Sequence, residues 1–283
     1  MSRNLLIRIA VAIPAIGGAL AALWLGGWVL AAVLAVLGVF GTREVFDFAK
    51  RQGIQPLEWL GLISAAFLPL ATYWVKSYAD WEPVVYVGAV SLLLALVVAA
   101  ARGPERHPLT AVAVTMFAPL YASGLLSFLV AIRHGPHVDA HPRGSIALAV
   151  LPLVVTWVCD TAAMAAGRLV GGAKLAPVLS PNKTWAGAIG GTGGAVVATI
   201  AYGPIVLDRV AFGLPQWQLV VIGFAIAVAA QVGDVTESLF KREVGVKDSS
   251  SLVPGHGGVL DRLDSLYFVA PVAAGLFRIF GLA

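Results

Sequence analysis

The sequence predicts an all-α, polytopic integral membrane protein with about nine transmembrane helices and a cytoplasmic N-terminus. Three observations carry that prediction. Hydrophobic residues make up 59% of the 283 residues, and the mean hydropathy is +0.88. Only 12% of the residues carry a charge, which is about half the share found in soluble domains. The apolar residues also fall into runs of roughly 20, the length of a helix that crosses a bilayer.

Charged, proline-rich or glycine-rich breaks divide the chain into its predicted spans. The first two spans are separated only by Gly26 and Gly27, and Pro14 is expected to kink the first. In chain order the spans are 5–23, 25–42, 57–75, 83–101, 108–132, 145–169, 185–206, 216–240 and 263–281. Residues 1–143 therefore form an N-terminal region of about five spans, and residues 144–283 form a C-terminal region of about four.

The basic residues predict the orientation. Fourteen of the 19 lysines and arginines fall on the cytoplasmic side when the N-terminus is placed there, as the positive-inside rule describes. The longest cytoplasmic connections, 170–184 and 241–262, are rich in Gly, Pro, Ser, Lys and Asp. We expect irregular backbone in both, where it can contact water or a ligand. The segment 43–51 is expected to extend a span or to lie along the cytoplasmic surface near anionic lipid.

Carboxylates mark the cytoplasmic ends of the last two spans. One helical face of the span 216–240 and its extension carries polar residues, namely Gln231, Asp234, Glu237, Ser238 and Lys241. Asp234 lies roughly 27 Å along that helix, close to the cytoplasmic boundary. Asp261 and Asp264 are three residues apart and share a face near the start of the last span. Because charges within a span are costly unless they face a polar cavity, we expect these three carboxylates to converge.

This acidic group, without a His or Cys ligand set, favours a hard cation such as Mg2+, which takes oxygen ligands and keeps substrate phosphates in its shell. We expect Asp234 and Asp261 as ligands, with Asp264 and Asp248 completing the site; a second cation is left open. Basic residues complement them, namely Lys241, Arg242, Lys247 and Arg262. Carboxylate-held metal beside Lys and Arg favours phosphoryl or nucleotidyl transfer, since that chemistry depends on positioning and neutralising phosphate.

The run from Ser238 to Asp264 resembles the signature of the phosphatidate cytidylyltransferase family. It fits S-x-x-K-R-x4-K-D-x6-G-H-G-G-x-x-D-R-x-D over 27 positions. The matching residues are Ser238, Lys241, Arg242, Lys247, Asp248, Pro254, His256, Gly257, Gly258, Asp261, Arg262 and Asp264. So many fixed positions make a chance match very improbable.

A second block also resembles this family, which typically has an Asp, then Gly-Arg, Lys-Leu and Ser-Pro-x-Lys-Thr. The residues that match are Asp160, Lys174, Ser180, Lys183 and Thr184. Met164 and Ala186 depart from the family, which often has Tyr and Glu at those positions. The recognisable motifs lie within about 155–265, and the N-terminal half matches only in hydrophobicity and size.

The resemblance implies a reaction in which CTP and phosphatidic acid give CDP-diacylglycerol and pyrophosphate, with Mg2+ required and the lipid phosphate as nucleophile. The catalytic residues it implies are Asp234, Asp261, Lys241, Lys247 and His256. The substrate-binding residues it implies are Asp160, Lys174, Ser180, Lys183, Thr184, Ser238, Arg242 and Arg262. It also suggests a homodimer in the bacterial inner membrane, with the active site facing the cytoplasm. Nucleic acid is not an expected partner.

Several alternatives stay open at the level of single residues. His256 can carry a proton, contact phosphate or only shape its loop, and we favour phosphate contact. Asp160 can pair with Arg168 instead of binding substrate or metal. The segment 180–184 can begin the next helix, with Asn182 or Ser180 as its cap, and can bind phosphate as well. The glycines of span 185–206 favour helix packing over nucleotide binding.

Two other activities are also compatible with the sequence. A CTP-dependent transferase could act on another lipid phosphate. A secondary transporter would likewise place charges within its spans. It would, however, spread them over many helices at mid-membrane, whereas the charges here collect in two cytoplasmic connections and the adjoining helix ends.

Overall fold

The computed structural model describes residues 3–75, 82–135, 142–210, 212–253, 255 and 257–282. Within them lie nine long helices. The first five are α1 (Arg3–Leu25), α2 (Gly27–Arg51), α3 (Glu58–Val75), α4 (Glu82–Arg102) and α5 (Pro108–His134). The remaining four are α6 (Pro142–Val170), α7 (Trp185–Tyr202), α8 (Gln216–Glu243) and α9 (Leu260–Ile279). Helix α5 contains a π turn at Leu120–Gly124, and α7 continues through a π turn and a 3-10 turn to Val210.

Each of these helices coincides with one of the nine predicted spans. Seven of them, α2 to α8, are long and apolar enough to cross a membrane by length and composition. The protein is therefore a polytopic, all-α membrane protein, as predicted. The break between α1 and α2 is at Gly26, which has φ of 60°. The largest difference is in α2, which continues to Arg51 and so includes the segment 43–51.

The described residues form two compact units. The first unit comprises residues 1–131 and 243–262, and the second comprises residues 132–242 and 263–283. The connection after α8 thus packs with the N-terminal helices.

In the first unit, α2 packs against α3 and α5. Gly61 of α3 lies against the ring of Phe46, where an added Cβ atom would be 2.3 Å from a ring carbon. Thr115 Oγ1 of α5 accepts a hydrogen bond of 2.8 Å from the Leu57 amide. The Ser123 hydroxyl donates to the carbonyl of Ala65 at 2.6 Å. These contacts fix α2 and α5 around the start of α3.

In the second unit, α6 and α7 pack at very short range. A Cβ atom on Gly187 would be 2.9 Å from the carbonyl oxygen of Ala163. A Cβ atom on Gly190 would be 2.3 Å from the Cβ atom of Ala166. The glycines of this span therefore serve helix packing, as small residues do in membrane helices.

The connection 170–184 is not irregular, contrary to our expectation. It forms an antiparallel hairpin of β1 (Lys174–Ala176) and β2 (Ser180–Thr184), in which Lys174 pairs with Thr184. The amide of Trp185 donates to the carbonyl of Ala173 at 3.0 Å. The hairpin therefore leads directly into α7. The two strands pair through Lys174 with Thr184 and Ala176 with Ser180.

Candidate functional site

A cavity of about 510 Å3 opens in the second unit between α6, the β1–β2 hairpin, α7 and α8. Its polar lining consists of Asp160, Arg168, Asn182, Lys183, Thr184, Gln231 and Asp234. Four of these are predicted site residues, namely Asp160, Lys183, Thr184 and Asp234. The remainder of the wall is small or apolar and includes Met164, Gly167 and Gly187. The second motif block and the polar face of α8 thus contribute to one cavity.

An ion pair crosses this cavity from the hairpin to α8. Lys183 Nζ lies 2.6 Å from Asp234 Oδ2, with 23% and 36% of the two side chains exposed. The Lys183 Nζ atom itself is buried against the carboxylate, whereas part of the Asp234 side chain remains exposed. An ammonium group in that place is suited to binding phosphate oxygens.

Two further carboxylates act on Asp234. The carboxylate of Asp234 is close enough to those of Asp160 in α6 and Asp264 in α9 for their charges to repel. Gly233 allows α8 and α9 to approach closely, since a Cβ atom there would be 2.6 Å from the carbonyl oxygen of Asp264. The backbone contact thereby holds two aspartates near one another despite their charge.

The carboxylates of Asp160, Asp234 and Asp264 fit Mg2+ in part. Their oxygen atoms are ligands of the type that Mg2+ prefers, and their mutual repulsion would be relieved by a cation. Yet in the part of the chain that the structure describes, no three His, Cys, Asp or Glu side chains lie close enough to hold one metal ion. A magnesium ion here would take one or two carboxylates and fill its shell with water and substrate phosphates, as it commonly does.

Gln231 is a cavity residue that the sequence did not assign to the site. Its Nε2 atom lies 3.2 Å from the carbonyl oxygen of Ala188 and 3.1 Å from Thr192 Oγ1. It also lies 3.9 Å from the sulfur of Cys159. These contacts of Gln231 hold α8 against α7 and α6 beside Asp234. The signal in the sequence was its place on the polar face of α8.

Thr184, and not Asn182 or Ser180, caps α7. Its Oγ1 atom accepts a hydrogen bond of 3.0 Å from the amide of Gly187. The prediction of Asn182 or Ser180 as cap was wrong because β2 continues through Thr184 before the helix begins. Its hydroxyl thus has a structural role at the edge of the cavity.

The end of α8 carries a buried ion pair. Lys241 Nζ lies 2.8 Å from Glu237 Oε2, and the Glu237 side chain is fully buried. Ser238 is also buried, with 8% exposed. Arg242 donates from Nε to the carbonyl of Leu179 at 3.3 Å, so it connects α8 to the hairpin.

In the first unit, Asp261 organises the loop before α9. Its Oδ2 atom accepts from the Ser249 amide at 2.7 Å, the Ser249 hydroxyl at 2.8 Å and the Gly258 amide at 2.8 Å. Gly257 has φ of 81°, and an added Cβ atom would be 2.4 Å from Asp261 Oδ2. The glycines of the signature therefore make room for this carboxylate.

Glu44 of α2 is the residue that sequence reasoning missed. Only 4% of it is exposed, and its carboxylate accepts hydrogen bonds from the same loop. The one sequence signal was an acidic residue directly after the apolar run of the second span, in a segment that we expected to extend the span or to lie along the surface.

The remaining predicted residues lie as follows. Lys174 is exposed on β1 and Ser180 is half-buried on β2. Lys247 and Asp248 are exposed in the loop before α9, and Arg262 is exposed in the first turn of α9. His256 and Pro254 lie outside the described residues.

Comparison with known proteins extends these observations. A model of the cytidylyltransferase family matches residues 6–280. The phosphatidate cytidylyltransferase of Haemophilus influenzae is 33% identical over 288 residues, which cover 93% of this chain and 95% of that protein. The phosphatidate cytidylyltransferase of Synechocystis sp. is 29% identical and covers 94% of both chains. The corresponding Brucella suis protein is 46% identical over 127 residues, 45% of this chain and 44% of its own length.

Proposed function

The chain belongs to the cytidylyltransferase family and transfers a cytidylyl group to phosphatidate, and we propose that the cavity beside Lys183 and Asp234 is the place of transfer. The observation that carries this proposal is the ion pair of 2.6 Å between Lys183 and Asp234. It lies in a cavity of about 510 Å3, in the size range of small-molecule sites. Triphosphate and lipid phosphate both need a cation beside a carboxylate that can hold metal.

The reaction joins two phosphates. An oxygen of the phosphatidate phosphate attacks the α-phosphorus of CTP in line with the leaving group, so that a new P–O bond forms. The bond between the α-phosphorus and its bridging oxygen breaks, and pyrophosphate leaves with the electron pair. Because a phosphate monoester carries close to two negative charges at neutral pH, the nucleophile needs no general base. The protein then has to bring two anions together and orient them.

Lys183 has the central role in that task. Its ammonium group can neutralise the phosphates, and the hairpin holds it over the cavity. Lys241 and Arg242 are proposed to support the phosphate site from the end of α8. Lys247, in the loop before α9, is proposed to bind phosphate as well. We assign Asn182 and Arg168, which also line the cavity, to orienting the ligands.

For the metal, we propose that Asp234 and Asp264 are the main ligands and that Asp160 completes their electrostatic environment. When bound, Mg2+ would neutralise charge on the triphosphate. Asp261 has three hydrogen bonds on its Oδ2 atom, so we propose that it mainly orders the loop that carries Lys247 and Asp248.

The proposal includes an orientation of the protein in the membrane. The cavity faces the cytoplasm, where CTP is available, and phosphatidate reaches it from the surrounding bacterial inner membrane. This orientation is supported by the excess of basic residues on the predicted cytoplasmic side.

Pyrophosphate release from CTP by purified protein tests the function. We expect release to require both phosphatidate and Mg2+. A panel with polyprenol phosphate and an ether-linked lipid phosphate separates phosphatidate transfer from activity on another lipid. Solute movement in proteoliposomes without consumption of CTP would favour a transporter instead.

Asp234→Asn tests the site. We expect kcat to fall by at least about 100-fold, because the carboxylate is proposed both to bind metal and to hold Lys183. Asp208→Asn is the matched control, since Asp208 is an exposed carboxylate of the same unit that does not line the cavity. Equal activity of the two variants would place the reaction elsewhere.

A further inference from the structure

The carboxylate of Glu44 lies in a place where a charge needs partners. Glu44 belongs to α2, its side chain is 4% exposed, and the adjoining Val45 and Phe46 are also buried. A buried carboxylate without hydrogen bonds is strongly destabilising. The partners of Glu44 therefore show what this residue is for.

In the part of the chain that the structure describes, the Glu44 carboxylate bonds to one segment, residues 249–260, here called the capped loop. Glu44 Oε1 accepts from the Ser250 hydroxyl at 2.7 Å and from the Val259 amide at 3.0 Å. Glu44 Oε2 accepts from the Leu260 amide at 2.8 Å and lies 2.9 Å from the Ser249 hydroxyl. One side chain thus connects to both ends of the capped loop.

Two of these bonds go to the start of α9. The amides of Val259 and Leu260 are among those that a helix leaves without an internal partner, and a carboxylate there also interacts favourably with the helix dipole. Such caps usually come from the residue next to the helix. Here the cap comes from α2, more than 200 positions away in sequence. The first turn of α9 is therefore fixed relative to α2.

Ser249 connects Glu44 to Asp261. The Ser249 hydroxyl lies 2.9 Å from Glu44 Oε2 and 2.8 Å from Asp261 Oδ2. Gly258 leaves room for this arrangement, because an added Cβ atom would be 2.3 Å from Glu44 Oε1. The glycine of the signature and the glutamate of α2 thus fit one another.

We propose that Glu44 is a positioning residue for cytidylyl transfer. Through the capped loop it acts together with Asp261, which orders the loop that carries Lys247 and Asp248. Through the first turn of α9 it holds Arg262, which we expect to bind substrate. Glu44 acts through these residues and does not itself contact substrate. The inference rests on the proposed function of the signature residues.

Glu44→Gln and Glu44→Ala test the proposal. Glutamine keeps the size of the side chain but replaces one acceptor oxygen by a donor, and alanine removes both oxygens. We expect kcat to fall by about tenfold or more in Glu44→Gln and by about 100-fold in Glu44→Ala, since small displacements of reacting groups have effects of this size. KM for CTP should stay within about threefold. Asp47→Asn is the control, because Asp47 lies on the same helix but is exposed and paired with Lys50.

The stoichiometry of CTP binding, measured by calorimetry on monodisperse protein, separates positioning from folding. In the proposed role, the variants bind CTP at wild-type stoichiometry while kcat falls. A decrease in kcat that only parallels a loss of CTP-binding protein would overturn the proposal, as would wild-type kcat in Glu44→Gln. Ser250→Ala, which removes one bond and leaves the carboxylate in place, should give a smaller decrease and covers the case that Glu44→Ala does not fold.

Hydrogen exchange gives a result independent of activity. The amides of Val259 and Leu260 should exchange faster in Glu44→Gln than in wild type or Asp47→Asn. Unchanged exchange would contradict the cap itself. Wild-type protein that releases no pyrophosphate would refute the proposed function, whereas faster exchange in Glu44→Gln would still support Glu44 as the residue that holds the loop.

Discussion

At the scale of single residues, Asp261 and its glycines show how a signature can serve geometry as well as chemistry. Glycines in a signature of this kind can let the backbone approach phosphates closely. In the structure, Gly257 and Gly258 instead lie against the carboxylates of Asp261 and Glu44. The signature therefore encodes a loop that is organised around two acidic side chains.

Gly257→Ala should strongly reduce activity. The substitution combines an unfavourable φ of 81° with a Cβ atom 2.4 Å from Asp261 Oδ2. Gly245→Ala is a matched control, since Gly245 has φ of 70° but no neighbouring atom within 4 Å. Gly245→Ala therefore costs only the backbone strain, about 1–2 kcal/mol. We expect a loss of at least tenfold in kcat for Gly257→Ala beyond that of Gly245→Ala; equal losses would show that the contact with Asp261 is unimportant.

Thr184→Ala should lower the free energy of unfolding by about 1 kcal/mol, the usual contribution of a helix cap. Thr184→Ser should restore most of it, because serine keeps the acceptor for the Gly187 amide. Denaturant unfolding in micelles measures both. Thr236→Ala is the control, since the Thr236 hydroxyl bonds only within α8, to the carbonyl of Val232. A Thr184→Ser variant as unstable as Thr184→Ala would argue against the cap.

Removal of divalent metal should abolish turnover and leave the fold intact. Asp160, Asp234 and Asp264 repel one another, yet the ion pair with Lys183 and the close packing at Gly233 do not depend on metal. We expect chelation to stop pyrophosphate release, addition of Mg2+ to restore it, and circular dichroism to stay the same throughout. Turnover that persists in chelator would contradict the proposed metal.

At the scale of the elements, the packing of α6 on α7 decides the shape of the cavity. Gly187 lines the cavity and also touches α6. A larger residue at such a contact would separate the helices and shift Asp160 relative to Lys183. The small residues of α7 thus control both stability and site geometry.

Gly190→Ala and Gly193→Ala should have opposite effects on stability. A Cβ atom on Gly190 would be 2.3 Å from Ala166 Cβ, whereas Gly193 has nothing within 4 Å. We expect overpacking to destabilise the first variant by about 1–3 kcal/mol. The second should gain up to about 1 kcal/mol from helix propensity. Unfolding in micelles compares them directly, and a stabilised Gly190→Ala variant would refute this account of the packing.

The elements also show which features could be predicted from sequence. Hydropathy locates the nine helices to within a few residues at most ends, because bilayer thickness imposes their length. It leaves open the continuation of α2 through 43–51, because polar and apolar residues alternate there along a helix that is still buried on one side. It misses the β1–β2 hairpin, since Gly, Pro and Lys are common in irregular connections and their pairing depends on register.

At the scale of the whole molecule, the residues that sequence does not reveal are those whose partners lie far away along the chain. The motif residues were recognisable because they lie close together in sequence. Glu44 was not, because its partners follow more than 200 residues later, and its position directly after an apolar run does not indicate them. The predicted assignment of Asp261 and Asp248 to the metal, the homodimer and the role of His256 stay predictions.

Cysteine labelling tests the predicted orientation. Cys159 is buried and is the single cysteine of the chain, so wild-type protein should not react with an impermeant maleimide. Lys247→Cys should react in inverted membrane vesicles, and Gln216→Cys should react in right-side-out vesicles, because we place these exposed positions on opposite faces. The reverse labelling pattern would indicate the opposite orientation, in which the cavity would not face cytosolic CTP.

The cap that α2 provides for α9 has a consequence for biosynthesis. During translation, Glu44 enters the membrane long before the ribosome has made residues 259 and 260, which supply two of its hydrogen bonds. A chain that stops before residue 259 therefore contains an acidic group without these partners, and the loop around Asp261 can reach its final form only after residues 259 and 260 have been made. The order of translation thus delays this arrangement until α9 has begun to form, so a product truncated before residue 259 cannot assemble it.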